Sequence, residues 1–360
     1  MRSVLAHTPE ELRHALVEEG VEGFRAQQIL RWIHGRGVRE FGEMSDLSRQ
    51  LRAELGNRWS TRALELRQAR TSADGTEKLV LETADGSRIE SVMIPEEDRR
   101  TLCVSSQVGC SLDCSFCATA RLGFGRNLDA AEIVDQVLHA SGRLRERGER
   151  LTHVVFMGMG EPLLNLREVV RAIRVMVDPG ALALSRRRIT VSTAGVAPRI
   201  AELGKQVRVR LAVSLHATTD ELRDELVPLN RRFPLATLLQ ACREFPLPPR
   251  DRLSFEYTLM DGVNDSDADA RRLVKLLHGL RAKLNAIPLN EHPASPYRRP
   301  SPERVERFAS TLAQAGVTVS VRRSRGDDIL AACGQLGAVS PRAEAREDVP
   351  EATVSDGSLR

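Results

Sequence analysis

Three cysteines stand close together in the chain, at the spacing C-x3-C-x2-C: Cys110, Cys114 and Cys117. Three thiolates on one short loop are able to hold three corners of an iron–sulfur cube, whose usual form takes four cysteines. The fourth iron would have no protein ligand and would be free to bind and polarise a small molecule. Two alternatives stay open. A structural zinc site needs four tetrahedral ligands, for which Cys103 is available, and a disulfide between such close neighbours would leave an odd thiol.

A glycine-rich turn, Gly-Met-Gly-Glu-Pro at residues 158–162, follows an apolar segment that is predicted to be a strand. Glycine at the carboxyl end of a parallel strand lets a ligand approach the backbone closely, here at Gly160. Glu161 offers a carboxylate to a cationic amine. Because an ordinary connecting turn has the same features, this motif alone does not decide the function.

The composition is that of a globular protein, with 41% hydrophobic and 28% charged residues in a chain of 360. There is no apolar run of transmembrane length, and the first residues lack the apolar core of a signal peptide. We therefore expect a cytoplasmic protein without membrane association. In that compartment thiols stay reduced, so cysteines bind metals or act in catalysis more often than they form structural bridges.

Arginines are clustered, although the net charge is only +4. Such clusters lie at residues 186–188, 231–232, 298–299 and 322–325. A single pair is best interpreted as solvated surface, but arginine suits bidentate phosphate contacts. Several clusters together raise the expectation of nucleic-acid binding.

The elements that must position these residues follow from the apolar pattern. Capping signals and apolar stripes predict a small helical domain over residues 1–62, which is a candidate for RNA contact. Residues 63–97 alternate with a period of two around Ala-Asp-Gly at 84–86, which predicts a β-hairpin extension. Strands and helices then alternate over 98–337 and predict an α/β fold, a partial (β/α)6 barrel of parallel strands. The polar tail at 338–360 is predicted to be disordered.

Several motifs, taken together, resemble one family. The cysteine spacing, with Phe116 before the last cysteine, resembles the radical S-adenosylmethionine (SAM) superfamily, in which SAM chelates the open iron, and the turn at 158–162 looks like its "GGEP" element. Five segments are similar to the RlmN/Cfr family of radical SAM RNA adenine methyltransferases, in the same order and with similar gaps: residues 102–110, 117–120, 157–165, 214–217 and 325–336. The similarity covers about residues 20–338.

The resemblance implies a cofactor set and a mechanism. One four-iron, four-sulfur (4Fe-4S) cluster and two SAM molecules per turnover are expected. A first SAM methylates Cys333 by displacement at sulfur. A second is cleaved to a 5′-deoxyadenosyl radical, which removes hydrogen from the S-methyl group, and the methylene radical adds to adenine. Cys103 then attacks the sulfur and leaves a transient disulfide with Cys333, while Glu90 matches the family's proton acceptor.

Further residues match the family's SAM contacts. They are Gly160, Glu161, Ser192, Ser214, Leu215, His216 and Asn290. Around Asn290 the sequence departs from the usual aromatic-Asn-Pro pattern, which puts the local loop geometry in doubt. Cys242 matches no motif, and core packing is the expected role. The alternative for Cys333 is a buried small hydrophobe, and the alternative for Glu90 is a solvent-facing strand residue.

The resemblance implies methylation of adenosine C2 in RNA, at adenosine 2503 of 23S rRNA and adenosine 37 of some tRNAs. RNA of this kind is recognised mainly by shape and backbone, with the adenine splayed into the site. An electron donor such as flavodoxin is expected, as is a monomer, which would leave the site open to bulky RNA. Methylation at C8 by the sister activity uses the same five cysteines, so these residues do not separate the two. A zinc-bound RNA-binding protein without catalysis is the remaining alternative.

Overall fold

The computed structural model of the chain describes residues 1–293 and 295–338. The tail predicted to be disordered lies outside the described residues, except for Ala338. None of the helices in the described part of the chain is long and apolar enough to cross a membrane.

Three short helices form an N-terminal unit: Pro9–Glu18 (α1), Arg25–Leu30 (α2) and Arg49–Arg58 (α3). Thr8 caps α1 as predicted, because its hydroxyl accepts from the Glu11 N–H while the Glu11 carboxylate accepts from the Thr8 N–H. The two-residue strands Arg2–Ser3 (β1) and Trp59–Ser60 (β2) pair in parallel and close the unit.

The remaining strands follow in chain order. They are Leu64–Thr71 (β3), Glu77–Thr83 (β4), Arg88–Glu96 (β5), Arg99–Cys103 (β6), Gln107–Gly109 (β7), Phe124–Asn127 (β8), His153–Phe156 (β9), Ile189–Thr193 (β10), Arg210–Ser214 (β11), Leu253–Leu259 (β12), Ala282–Pro288 (β13) and Val319–Val321 (β14). Ten of them form one sheet in the order β14-β13-β12-β11-β10-β9-β6-β5-β4-β3, and β7 pairs with β8 separately.

The remaining helices lie mostly between the parallel strands. They are Ala118–Arg121 (α4), Ala130–Glu146 (α5), Leu166–Val177 (α6), Ala197–Gln206 (α7), Asp220–Leu226 (α8), Leu235–Glu244 (α9), Asp267–Leu277 (α10) and Pro302–Gln314 (α11). Capping boxes begin α5 at Asp129 and α10 at Ser266.

The parallel part of the sheet confirms the predicted partial (β/α)6 barrel. Strands β6, β9, β10, β11, β12 and β13 are each followed by at least one helix that leads to the next parallel strand, and β14 ends the series. The apolar side chains of these strands are buried between the lumen and the helices; β12, for example, buries Phe255, Tyr257 and Leu259 completely. Parallel strands flanked by helices are buried in this way, which accounts for their apolar runs.

The predicted hairpin is β4 and β5, and it belongs to the same sheet as the barrel. Strand β3 extends it on one side, while β5 pairs antiparallel with β6 on the other, with Val92 opposite Cys103. The barrel's first strand is therefore shared with the hairpin. This pairing brings β5, which carries Glu90, next to the strand that ends at Cys103.

Candidate active site

A cavity of about 180 Å³ lies at the carboxyl ends of the parallel strands, where ligands bind in barrels of this class. Nine of the predicted site residues line it: Cys110, Cys114, Cys117, Gly160, Glu161, Ser192, Ser214, His216 and Cys333. Four others are not among its lining residues: Glu90, Cys103, Leu215 and Asn290.

The three cysteines of the loop between β7 and α4, called the cluster loop below, all line this cavity. A hydrogen bond of 2.9 Å from the Cys110 N–H to the Gly123 carbonyl closes the loop. Gly109 allows that closure, since its φ is +69° and a Cβ there would lie 1.9 Å from the Gly123 oxygen. The sequence therefore forces the loop to turn its thiols toward one space.

The donor set fits an iron–sulfur cluster better than a zinc ion. Three thiols on one loop match a four-iron cluster with one open iron, whereas a structural zinc ion needs a fourth ligand. Cys103, the fourth ligand that zinc would need, lies on β6 and does not line the cavity.

The cluster loop contains protonated thiols in the absence of a metal. Burial raises the pKa of the Cys110 thiol to about 11, and burial together with Cys117 and Cys110 raises that of Cys114 well above its ordinary value. Forming a thiolate in this loop therefore costs free energy, and iron binding would offset that cost, because the charge of a metal deprotonates a coordinated thiol.

The glycine turn is held against the end of β6. A Cβ at Gly158 would lie 2.7 Å from the Val104 carbonyl oxygen, and one at Gly160, whose φ is +96°, would lie 2.5 Å from the Gln107 Cβ. Both positions therefore require glycine. The Glu161 N–H donates to the Gln107 side chain at 2.9 Å, which fixes the glutamate at the cavity wall.

Glu161 is a buried carboxylate at this wall, with 3% of its surface exposed. Its oxygens accept from the Ala194 N–H at 2.7 Å and from the Leu163 N–H at 3.0 Å. Burial nevertheless raises the pKa of its carboxyl to about 7. A cationic amine in the cavity would stabilise the charged form, so this group is suited to bind an ammonium.

His216 presents a neutral imidazole to the cavity. Burial, followed by the charge of Arg223, lowers its pKa to about 3. Its Nδ1 accepts from the Thr258 N–H at 3.0 Å, so the remaining proton is on Nε2, which is a donor. The backbone at His216 is left-handed, with a φ of +58°, an uncommon conformation for a residue other than glycine.

The predicted residues Ser192 and Ser214 line the cavity, but Leu215 does not. Ser192 is the penultimate residue of β10, and Ser214 is the last residue of β11. The Leu215 side chain is fully buried, and its carbonyl accepts from the Arg223 Nε at 3.0 Å. Asn290 also points elsewhere: its Nδ2 donates to the Cys333 carbonyl at 3.1 Å, and its Oδ1 accepts from the Ser324 hydroxyl. In this structure Asn290 supports the segment that carries Cys333.

Cys333 lies in the cavity wall with its side chain exposed to the cavity, so it is not a buried small hydrophobe. Desolvation by the surrounding protein, followed by the charge of Glu256, raises the pKa of the Cys333 thiol to about 11. Cys103 is buried at the end of β6, and burial followed by the proximity of Cys333 raises the pKa of its thiol. All six cysteines are unpaired, and Cys242 lies in the core as expected.

Glu90 of β5 contacts the segment that carries Cys333 at Gly337. Its Oε1 forms an ion pair with the Lys78 Nζ at 3.2 Å, and its Oε2 accepts from the Gly337 N–H at 2.8 Å. The Lys78 and Glu90 side chains are only 4% and 15% exposed. Glu90 is therefore not the solvent-facing strand residue that was its alternative.

Two charged residues near the cavity were not predicted from the sequence. Glu256 of β12 lines the cavity close to Cys333. Arg223 of α8 is fully buried and donates to the carbonyls of Ala194, Ser214 and Leu215, so its cation lies close to Cys114. A lone charge within a helix or strand pattern gives no signal of burial, so composition and spacing do not reveal either residue.

Comparison with known proteins agrees with this geometry. Residues 104–274 match the model of the radical SAM superfamily, and residues 3–60 match the N-terminal domain of ribosomal RNA large subunit methyltransferases. The chain is 54% identical over 325 residues to the dual-specificity RNA methyltransferase RlmN of Syntrophobacter fumaroxidans. That alignment covers 89% of this chain and 95% of the relative. The RlmN of Geobacter sulfurreducens is 49% identical over 91% of this chain and 89% of its own length.

A solved structure has the same fold. The crystal structure of a radical SAM methyltransferase from Sphaerobacter thermophilus superimposes with a TM-score of 0.92, at 45% identity, and covers 94% of this chain and 100% of that one. Membership of the radical SAM superfamily implies a 4Fe-4S cluster and SAM as cofactors. The chain is an RNA methyltransferase of the radical SAM class and belongs to the dual-specificity RlmN family.

Proposed function

We propose that the chain methylates C2 of adenosine in RNA, at adenosine 2503 of 23S rRNA and adenosine 37 of some tRNAs, and that the carbon passes through Cys333. The observation that carries this proposal is the shared cavity: Cys333 and the three cysteines of the cluster loop line one space, with Cys103 directly behind. Similarity to the dual-specificity RNA methyltransferases supports the choice of RNA substrates.

Cys110, Cys114 and Cys117 would hold the cluster, which supplies the electron for reductive cleavage of SAM. Glu161 would bind the methionyl ammonium, because it is the buried carboxylate of this wall. The Nε2–H of His216 and the hydroxyls of Ser192 and Ser214 would donate to the oxygens of SAM. Leu215 and Asn290 would act through their neighbours, Arg223 and the Cys333 carbonyl.

Cys333 would take the methyl group of one SAM on its sulfur and pass the carbon to the adenine; a second SAM per turnover is needed for the hydrogen abstraction. Glu90 would accept the proton that leaves adenine C2, and the adenine-centred radical would lose one electron to the oxidised cluster. The Cys103 thiolate would then attack the Cys333 sulfur, so that the bond from that sulfur to the methylene carbon breaks and the carbon takes up a proton to become the methyl group. The RNA is then free, and a transient Cys103–Cys333 disulfide remains. Neither thiol is paired in this structure.

The setting of the reaction follows from its substrates. We place the enzyme in the cytoplasm, where rRNA and tRNA are modified, and expect it to act as a monomer. An electron carrier such as flavodoxin would supply the electron for the reductive cleavage of SAM. It would later reduce the Cys103–Cys333 disulfide.

Anaerobic turnover tests the proposal. Cluster-loaded enzyme is given methyl-labelled SAM, a reductant and either rRNA fragments or tRNA, and the nucleosides are analysed by mass spectrometry. We expect labelled 2-methyladenosine, no product from Cys333→Ala, and full activity from Cys242→Ala, a matched control that removes a thiol of the core. Labelled 8-methyladenosine would instead assign the sister regiochemistry, and a colourless, iron-free and zinc-loaded protein would contradict the account.

A further inference from the structure

A second cavity, of about 140 Å³, opens at the other end of the barrel. Cationic and polar side chains line it: Arg99, Lys283, Asn285, Thr318, Ser320 and Arg322. Arg99 begins β6 and Lys283 is the second residue of β13, so the cavity lies at the amino ends of the strands, opposite the carboxyl ends that carry Glu161 and the cluster loop. We call it the lower cavity.

Three cations line the lower cavity, Arg99, Lys283 and Arg322, and Arg210 is a fourth cation near Lys283. Burial and then the charge of Arg322 lower the pKa of the Lys283 ammonium; Glu256 acts in the opposite direction, and Arg210 and Arg99 add to the lowering. Within the described residues, none of the four forms an ion pair. Neighbouring arginines such as Arg100 pair with a carboxylate.

Two carboxylates lie close to this cluster. Glu256 is 8% exposed and accepts from the Asn285 Nδ2 at 2.7 Å; burial raises the pKa of its carboxyl, while the charges of Arg322 and Lys283 act against that rise. Glu96, at the end of β5, lies opposite Arg99 in the β5–β6 ladder but forms no ion pair with it. The Glu256–Asn285 hydrogen bond also separates the two cavities, since Glu256 lines the cavity of Cys333 and Asn285 lines the lower one.

We propose that the lower cavity binds a phosphate group, held by Lys283, Arg322 and Arg99 and flanked by Arg210. Cations placed together without an ion-paired carboxylate repel one another, and a multivalent oxyanion reduces that repulsion while matching the donor geometry of guanidinium and ammonium groups. A cavity of about 140 Å³ accommodates such a group, since one water molecule takes roughly 30 Å³.

The phosphate has two possible sources, a free inorganic anion or the backbone of bound RNA. In either case it is not a phosphate of the nucleotide under reaction, because the lower cavity opens at the opposite end of the strands from the cluster loop. The arginine cluster at 322–325, singled out in the sequence, thus contributes to the site through Arg322, together with cations from three other strands.

Calorimetric titration of cluster-loaded enzyme with inorganic pyrophosphate at low ionic strength tests the site. We expect saturable binding that Lys283→Gln/Arg322→Gln weakens at least tenfold. The matched control Arg174→Gln/Arg271→Gln, which removes two exposed arginines outside the arginine clusters and the lower cavity, should leave the affinity within about twofold. Lys283→Arg/Arg322→Lys, which keeps both charges, should retain binding and guards against a folding defect. Absence of saturable binding, or an equal loss in the control, would overturn the proposal.

The source is identified by a second titration, of a labelled RNA fragment followed by anisotropy. If the lower cavity holds an RNA phosphate, Lys283→Gln/Arg322→Gln weakens RNA binding and pyrophosphate competes with the RNA. If it holds a free anion, RNA affinity is unchanged in the same variant that has lost pyrophosphate. An RNA affinity lowered equally in the arginine control, without pyrophosphate binding, contradicts both arms.

Discussion

At the scale of single residues, Glu161 shows how burial prepares a charge for a ligand. Two backbone N–H groups hold its oxygens at the wall, yet burial raises the pKa of its carboxyl to about 7. The unliganded protein therefore contains a carboxyl near half-ionisation at neutral pH. A ligand ammonium stabilises the ionised form and gains affinity from it.

Glu161→Gln should weaken SAM binding by roughly tenfold to a hundredfold, since hydrogen bonds to charged groups contribute about 1.5–3 kcal/mol. The carboxylate form dominates above the pKa of about 7, so wild-type affinity for SAM should rise as pH increases from about 6 to 8. Titration calorimetry over this range should show a flat profile for Glu161→Gln. The exposed control Glu202→Gln should keep the wild-type slope, and a flat wild-type profile would contradict this assignment.

Cys103→Ala separates methyl transfer from product release. Without the second thiol nothing attacks the Cys333 sulfur, so RNA should stay covalently attached to the enzyme. Denaturing electrophoresis of the anaerobic reaction should show this species, and nuclease digestion with mass spectrometry should locate it on Cys333. The double variant Cys103→Ala/Cys333→Ala should form none. Free methylated RNA at the wild-type rate from Cys103→Ala would rule out the releasing role.

Local spacing predicts some of these residues and not others. The sequence predicts the cluster loop from three cysteines within eight positions, and it predicts a ligand contact from the glutamate that follows Gly-Met-Gly. Both predictions are possible because each motif consists of neighbours in the chain. Arg223 and Glu256 depend on neighbours in space, which no local pattern contains. Cys333 is 230 positions from Cys103 (333 − 103), so their proximity followed only from the family resemblance.

At the scale of elements, strands β4 and β5 and the turn between β3 and β4 hold the segment that carries Cys333. From that turn, the Ser72 hydroxyl donates to Asp328 at 2.5 Å, and Asp74 accepts from the Gly326 N–H at 3.1 Å. Lys78 of β4 donates to the Leu330 carbonyl at 3.2 Å. Together with the bond from Gly337 to Glu90 of β5, these contacts hold residues 326–337, so this part of the sheet positions Cys333.

Ser72→Ala removes one of these bonds and should cost about 1 kcal/mol. Because that bond holds the segment rather than the core, amide exchange over 326–337 should accelerate and methylation should slow, with little change in Tm. Ser87→Ala, in the turn at the other end of the hairpin, is the control. Exchange over 326–337 that matches wild type in Ser72→Ala would show that the turn between β3 and β4 does not restrain the segment.

Most strands of the barrel were predictable because alternation of apolar strands and amphipathic helices is local. Helix α5 and strand β3 were not among the predicted elements. Helix α5 is buried over much of its length, including Glu132, Asp135 and Gln136, so it lacks the polar face that marks a surface helix. Strand β3 is exposed at most positions, so its sequence lacks the apolar alternation of its partners.

At the scale of the whole molecule, Asp135 of α5 joins the N-terminal unit to the barrel. Its side chain is fully buried; it forms an ion pair with Arg39 and accepts from the Ala63 N–H at 2.7 Å and the Leu64 N–H at 2.9 Å. Arg39 belongs to the N-terminal unit, and residues 63–64 lead into β3. One carboxylate thus organises the meeting point of three parts of the chain.

Asp135→Ala leaves the Arg39 guanidinium and two backbone donors without their acceptor, so it should lower the free energy of unfolding by roughly 3–5 kcal/mol. Chemical denaturation measures the loss, and limited proteolysis should release the N-terminal unit first. Asp98→Ala, at an exposed position, should change stability by less than about 0.5 kcal/mol. Equal stability of the two variants would remove Asp135 from this role.

The most direct test of the central claim, that the carbon passes through Cys333, is mass spectrometry of the tryptic peptide 326–342. Cluster-loaded enzyme is incubated with methyl-labelled SAM and reductant without RNA, then given RNA and unlabelled SAM. We expect one labelled methyl group on Cys333 before RNA is added. After RNA is added, the label should leave the peptide and be recovered on adenosine. Labelled adenosine that forms while Cys333 never carries the label would contradict the claim.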